Sequence, residues 1–337
     1  MAPLFSSAPC ALDIIPVGRV AIDFNPTDYN KPLSESRHFN KYLGGSPANI
    51  AVGMARLGKQ VGFLGKVSDD QFGDFVTGFF AHEGIDISHI TRCTNGEKLG
   101  LTFTEILSPT ESSILMYREG VADLMLHPDD VDREYIASAR CLLISGTSLC
   151  TSPTREAALK ALSFAKQAGV TVVFDADYRA YTWKNKDEIA IYTSLVAEKS
   201  DIILGSREEF SLMEHLLPLD GTDEASAAYW MEKGVKLLVI KHGKEGSCAY
   251  SKDECYKVRP FPVNALKGFG GGDGYASAFL CGLMNGKSLS SALEMGSASA
   301  AMLVASHACS QDMPNEEQLM HFIAEQHKTC GDIVTAL

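Results

Sequence analysis

No apolar run in this chain approaches the roughly 20 residues that a membrane-spanning helix needs, which excludes that class of structure from the reading. Positive charge is in deficit: 30 Lys and Arg stand against 42 Asp and Glu, a formal net charge of −12. That balance weighs against nucleic acid or an anionic membrane surface as the main partner. It leaves room for a small anionic ligand, because a few local basic residues override the net charge. The nine cysteines include no C-x-x-C pair and no Cys/His cluster at zinc spacing. Dispersed thiols of this kind fit a reducing cytosol, so a cytoplasmic location is the expectation. No Lys or Arg precedes Arg19, and Pro9, Asp13 and Pro16 interrupt the N-terminal apolar residues, so no secretory leader is expected. Internal repeats, low-complexity tracts, a G-x-G-x-x-G between strand and helix, and a G-x-S-x-G elbow are all missing. Gly282-Leu283-Met284-Asn285-Gly286-Lys287-Ser288 imitates a phosphate-binding P-loop, but Cys281 stands where its first glycine belongs. Gly286 there reads as a helix C-cap.

What is present is an alternation of short apolar strands and amphipathic helices. A hydrophobic share of 45% against 21% charged is an ordinary globular balance, and 337 residues suit one large α/β domain with a small addition. Leu12–Val17 reads as a first strand. Ser46-Pro47 starts a helix, with Ser46 as N-cap, and Gly58 stops it. Asp69 or Asp70 caps the next helix; further strands fall near Cys141–Ser145, Val170–Phe174, Ile202–Leu204 and Leu237–Lys241. Repeated βα units with wholly apolar strands predict a mostly parallel central sheet in a three-layer αβα sandwich. Residues 24–43 and 98–118 break the rhythm. Lys98–Leu107 alternates and has Ser113–Arg118 as a hairpin partner, so these segments are expected to form a small inserted antiparallel β flap, or lid. The bland alternative is an edge hairpin or half of a subunit contact. The expected division is residues 12–23, 44–97 and 119–327 for the α/β domain, 24–43 and 98–118 for the lid, and a frayed C-terminal tail at 328–337.

The stretch richest in chemistry is Gly270-Gly271-Gly272-Asp273, which runs straight into an apolar helix. A glycine turn at a helix start offers unpaired N–H groups and a partial positive charge that suit a phosphate. A carboxylate beside such an anion cradle needs a reason. Asp273 is either a general base for a hydroxyl that attacks the phosphate or a plain helix N-cap, and the motif alone leaves both open.

Three separated motifs carry a family resemblance. Gly44-Gly45-Ser46-Pro47-Ala48-Asn49 resembles the N-terminal signature of the ribokinase-like (PfkB) carbohydrate kinases, and Gly270-Gly271-Gly272-Asp273 resembles their C-terminal one. Lys241-His242-Gly243-Lys244-Glu245-Gly246 is similar to the nucleotide-side turn of that family. The resemblance covers roughly residues 12 to 327. Met116-Tyr117-Arg118, Phe174-Asp175-Ala176-Asp177-Tyr178-Arg179 and Gly205-Ser206-Arg207-Glu208-Glu209 narrow it to members that phosphorylate sugar acids.

The resemblance implies a transfer of the γ-phosphoryl group of ATP to a sugar-acid hydroxyl. It implies Asp273 as base, and the Gly270, Gly271 and Gly272 amides as the anion hole. Asp23, Gly44, Gly45, Asn49, Tyr117, Arg118 and Arg179 are implied on the substrate side. Lys241, Gly243 and Gly246, with Gly270 and Gly272, are implied on the nucleotide, and Glu208 on Mg²⁺ through water. Arg118 and Arg179 suit a carboxylate clamp. The competing reading pairs Arg118 with Glu119 or Asp123, and Arg179 with Asp175 or Asp177. Glu209 reads as no more than a first-turn acid. Many members carry Asp-Thr where Lys267-Gly268 stand, and that Asp helps bind a monovalent cation; Lys267 puts its own charge there, so a role for K⁺ is doubtful. A homodimer through the lid is a further expectation. A non-catalytic sugar or nucleotide sensor is the reading from another class.

Overall fold

Five buried apolar segments, Leu12–Val17, Ala139–Ser145, Thr171–Asp175, Ile202–Ser206 and Leu237–Lys241, pair side by side in parallel. Strands buried on both faces need no polar alternation, which is why they read as continuous apolar runs. In this computed structural model residues 4–6, 9–108 and 111–337 are described. Residues 109 and 110 of the expected lid, and residues 1–3 and 7–8, lie outside the described residues. Ser247–Ser251, Cys255–Val258 and Val334–Ala336 continue the sheet in antiparallel fashion, making eight strands among the described residues. The last of these corrects the expectation of a frayed tail: Val334 pairs with Val258 and Ala336 with Tyr256, so the edge gains a ladder of backbone hydrogen bonds.

Helices Thr154–Ala168, Arg207–Met213 and Asp223–Glu232 pack on this sheet. Gly169, left-handed at φ 71°, stops the first, as its sequence position predicts. Thr222 caps the third by accepting from Ala225 N–H, a contact worth about 1 kcal/mol.

Contacts sort the chain into two compact units. The sheet above belongs to residues 1–18, 127–260 and 334–337, and residues 19–126 and 261–333 form the other. In that second unit the strands run in the order Phe39–Gly44, Ala21–Pro26, Gly100–Ser108, Glu111–Tyr117. The outer pairings are antiparallel, but the central one, Ala21–Pro26 with Gly100–Ser108, is parallel. Asp23, which reads from sequence as the end of the first strand, sits in this smaller sheet opposite Tyr42.

The unit also holds five α-helices among the described residues, Ser46–Arg56, Gln71–His82, Gly271–Met284, Leu289–Val304 and Glu316–Cys330, and a two-stranded parallel sheet of Gly65–Val67 and Ile90–Arg92. Gly45, not Ser46, is the N-cap of the first, with Ser46 and Pro47 already helical. Asp70 caps the second by accepting from Phe72 and Gly73 N–H. The third and fourth pack closely: a Cβ on Gly282 would lie 3.0 Å from Ala292 Cα, and one on Gly296 would lie 3.1 Å from Phe279 Cβ. Gly286, at φ 71°, follows the end of helix Gly271–Met284, so the P-loop imitation is a helix stop. Among the described residues no helix is long and apolar enough to cross a membrane.

Candidate active site

Of the residues expected on the acceptor side, all but Arg179 lie in the second unit. Gly270, left-handed at φ 86°, is the N-cap of helix Gly271–Met284, and no side chain caps that end. Asp273 is the third residue inside the helix, so the plain N-cap reading fails on geometry. The first-turn amides have no intrahelical partners by construction and lie at the positive end of the helix dipole. The turn is crowded from beneath: a Cβ on Gly270 would stand 2.5 Å from Cys309 Sγ, and one on Gly271 would stand 3.0 Å from Val304 Cγ1.

Asp273 is 9% exposed, and its Oδ2 accepts from Asn49 Nδ2 at 2.7 Å. Asn49 lies in the first turn of helix Ser46–Arg56, its N–H donating to Gly45 O at 2.9 Å. The other end of its amide, Oδ1, is buried without a hydrogen-bond partner among the described residues. An orphaned buried acceptor costs about 1–3 kcal/mol, which a ligand hydroxyl would recover. The glycines ahead of this helix are there for close approach. A Cβ on Gly44 would fall 2.1 Å from Asp23 Oδ1, and one on Gly45, at φ 99°, would fall 2.4 Å from Arg19 O. Asp23, Gly44, Gly45, Asn49, Asp273 and the Gly270–Gly272 turn thus form one continuous cluster.

Lys267 lies below the turn and is fully buried. Its Nζ donates to Ala308 O at 2.5 Å and lies 3.8 Å from Cys309 Sγ. Burial pushes the Cys309 thiol up to about 12; Lys267 pulls it down, while Asp23 and Asp273 push it further up. The same ammonium lies 5.3 Å from the Phe269 ring centre.

The two consecutive residues expected near the sugar acid diverge. Tyr117 is 58% exposed, whereas Arg118 is buried and donates through Nε and Nη2 to Asp123 Oδ2 at 3.0 and 2.7 Å. The local-acid pairing is therefore present at Arg118. The same holds in the first unit, where Arg179 Nη2 lies 2.7 Å from Asp177 Oδ1 and Nη1 donates to Tyr178 O. Asp177 itself takes a positive φ of 31°, a strained conformation for a residue with a side chain, and accepts from Ser145 Oγ at 3.1 Å.

Of the residues expected on the nucleotide, Lys241, Gly243 and Gly246 lie in the first unit, and Gly270 and Gly272 in the second. Lys241 ends its strand 3.7 Å from Asp175 Oδ1. The turn beyond it closes when His242 N–H donates to Gly246 O at 2.8 Å. Gly243 and Gly246 have φ of 57° and 97°. A Cβ on Gly246 would strike Val258 O at 1.9 Å, while nothing lies within 4 Å of one on Gly243. Glu208 is exposed in the first turn of helix Arg207–Met213. Its neighbour Glu209 does more than its sequence position suggests. It closes a capping box with Ser206 and accepts from Tyr178 N–H at 2.8 Å, tying the Asp177–Arg179 segment to the helix start. An acid three residues after a Ser N-cap was the available signal for the first of these contacts; nothing local signals the second.

Comparison with known proteins bears on this geometry. The family model for pfkB carbohydrate kinases matches residues 11–316. A 5-dehydro-2-deoxygluconokinase from Clostridium perfringens is 65% identical over 323 residues, 96% of this chain and 96% of its own. A fructokinase from Xylella fastidiosa, solved with bound ATP, aligns with a TM-score of 0.82 at 25% identity, covering 93% of this chain and 98% of its own. A protein from E. coli described as ribokinase II, solved with ATP and Mg²⁺, aligns with a TM-score of 0.84 at 25% identity, covering 93% and 99%. The ribokinase-like α/β fold, a mostly parallel sheet with helices and a second small sheet, follows from these likenesses and the strand pairing above.

Proposed function

The chain belongs to the pfkB family of carbohydrate kinases, and from that premise we propose that it transfers the γ-phosphoryl group of ATP to the 6-hydroxyl of 5-dehydro-2-deoxy-D-gluconate, a step of myo-inositol catabolism. It is a phosphotransferase with an alcohol acceptor. The observation that carries the reading is the Asn49–Asp273 pair beside the Gly270–Gly272 turn. Phosphoryl transfer needs positioning and charge stabilisation more than covalent help. Asp273, its carboxylate oriented by Asn49, takes the proton of the attacking hydroxyl. The amides of Gly270, Gly271 and Gly272 hold the transferring phosphoryl oxygens as charge builds. The buried Asn49 Oδ1 accepts from a sugar hydroxyl, and Asp23 takes another.

On the nucleotide side, Lys241 and the Gly243–Gly246 turn hold ATP. The exposed Glu208 carboxylate, at the end of a parallel strand, fits a role on the water shell of Mg²⁺. Bound with ATP, that ion neutralises charge on the β- and γ-phosphates. The Lys267 Nζ, buried under the anion turn and donating to Ala308 O, takes the place of a monovalent cation, so activity is independent of K⁺; strong activation of the purified protein by K⁺ would sink this point. Arg179, partly exposed and steadied by Asp177, recognises the substrate carboxylate, and the exposed Tyr117 is a separate substrate-side candidate, while Arg118, buried against Asp123, supports its strand rather than a clamp. The exposed Leu115 and Tyr117 on strand Glu111–Tyr117 support a homodimer through this sheet. Nine free thiols fit a cytoplasmic setting.

The test is a side-by-side assay of ATP turnover with 5-dehydro-2-deoxygluconate, 2-dehydro-3-deoxygluconate, fructose and a nucleoside, using wild type and Asp273→Asn. The first acceptor should give the highest kcat/KM, and the variant should lose about 100- to 10,000-fold in kcat. Preference for another acceptor would reassign the substrate within the family. Equal turnover by wild type and variant would remove Asp273 as base, whereas no turnover by wild type on any acceptor would leave a sensor as the better account.

A further inference from the structure

We propose that Asp223, His242 and Cys248 form a site for one thiophilic divalent cation of the zinc class. The three come from separate elements of the first unit. Asp223 opens helix Asp223–Glu232, His242 follows strand Leu237–Lys241, and Cys248 lies on strand Ser247–Ser251 opposite Ile240. They offer one oxygen, one nitrogen and one sulfur, all within 4.8 Å of one another, and all three residues are half-buried. Such a site is sheltered yet open to loading from solvent.

The donors stand on well-fixed supports. Thr222 caps the helix just ahead of Asp223, and Arg207 Nη1 lies 3.3 Å from Asp223 Oδ1, which orients the carboxylate. Asp223 Oδ2 lies 2.7 Å from His242 Nε2, and the His242 main chain is fixed by its bond to Gly246 O. The sheet register holds Cys248 in place. Zinc takes nitrogen and oxygen ligands at about 2.0–2.2 Å and sulfur at about 2.3 Å, so its ligand atoms sit about 3–4 Å apart. Here the nitrogen and one oxygen are 2.7 Å apart and no donor lies more than 4.8 Å from another, so side-chain adjustment brings the three to that spacing. A mixed N, O, S set also selects the metal: Mg²⁺ and Ca²⁺ prefer all-oxygen shells, whereas zinc-class ions take imidazole and thiolate readily. The fourth position is left for water.

Binding must release a proton. Coordination by Cys248 forms the metal–sulfur bond and sends the thiol proton to solvent. His242 also opens the Gly243–Gly246 turn, so an occupied site stiffens that turn. This last consequence rests on the nucleotide role proposed for the turn; the site itself does not.

The probe is Co²⁺, titrated into full-length reduced protein freed of metal by chelation, with Zn²⁺ then used to displace it. The expected result is one Co²⁺ per chain, a thiolate-to-cobalt charge-transfer band in the near ultraviolet, and release of one proton. In Cys248→Ser the band should vanish, and in His242→Gln and Asp223→Asn Zn²⁺ affinity should fall about 100-fold. Cys255→Ser, on the neighbouring strand, should keep the band. Absence of the band in wild type, or its survival in Cys248→Ser, overturns the site; the His242 and Asp223 variants decide the matter even where the serine variant folds poorly. Zinc-loaded wild type should also bind ATP about 10-fold more weakly than the metal-free protein, an effect absent in Cys248→Ser. Stoichiometric zinc with unchanged ATP affinity would overturn the link to the turn.

Discussion

The glycines packed on Asp23 and Cys309 and the leading glycine of the Gly243–Gly246 turn do different jobs. At Gly44 and Gly270 a side chain would run into Asp23 at 2.1 Å and Cys309 at 2.5 Å, whereas around Gly243 nothing lies within 4 Å. The first two keep a crowded cluster in register. Gly243 only supplies a left-handed backbone, at φ 57°. The arginines divide in the same way. Arg118 and Asp123 are sealed, their side chains 2% and 0% exposed, while the Arg179 side chain keeps 32% exposure beside Asp177. Crowding is where preorganisation is stored, and openness is where substitution is tolerated.

The sharpest break in that contrast is Arg118→Ala. It strands the Asp123 carboxylate in the interior and should lower stability by about 3–5 kcal/mol, read from denaturant midpoints. Arg179→Ala, with its partially exposed pair, should cost about 1 kcal/mol or less. Comparable losses would erase the distinction.

Gly44→Ala comes next. Its added methyl displaces Asp23, and a misplacement of that order should lower kcat/KM about 100-fold while the melting temperature moves little. Gly243→Ala should be milder, costing about 1–2 kcal/mol of backbone strain and weakening ATP only in proportion. A larger loss for Gly243→Ala than for Gly44→Ala would invert the comparison.

The smallest effect concerns pH. Asp201 is penalised by desolvation, but the Val172 N–H, Lys236 and Lys166 outweigh that and hold its carboxyl below the ordinary value. Its folded pKa is depressed, so its stabilisation is present above the unfolded pKa and is lost as pH falls through the folded value. The stability gap between wild type and Asp201→Asn should stay constant above about pH 5 and close at lower pH. A gap that widened in acid would show the opposite sign.

Much of the frame was legible because its signals are local. Strands buried on both faces carry no alternation, Gly169 stops a helix, and Asp70 starts one. The helix at Ser46 was placed to within one residue; the backbone of Gly45 takes the cap position that the Ser46 side chain suggested. What stayed hidden is non-local. Asn49 and Asp273 were each nameable, but their contact spans 224 positions. The parallel pairing of Ala21–Pro26 with Gly100–Ser108 has no local signature, since a strand's pattern does not state its direction. The short strand Val334–Ala336 is too small to show a period. The Asp223, His242 and Cys248 cluster comes from three elements with no metal-binding spacing along the chain. For Arg118 both partners were in view, and only burial decides between them.

The contact of Gly270 with Cys309 has a use beyond architecture. That thiol is walled in by the turn and lies far up in its protonated range, so a maleimide can reach it only when the turn breathes open. Its labelling rate, followed at Cys309 by peptide mapping because Cys10 is exposed, is therefore a clock for the opening of the Gly270–Gly272 turn. It is read without any substrate, and it needs no label other than the sulfur already placed beneath the glycine.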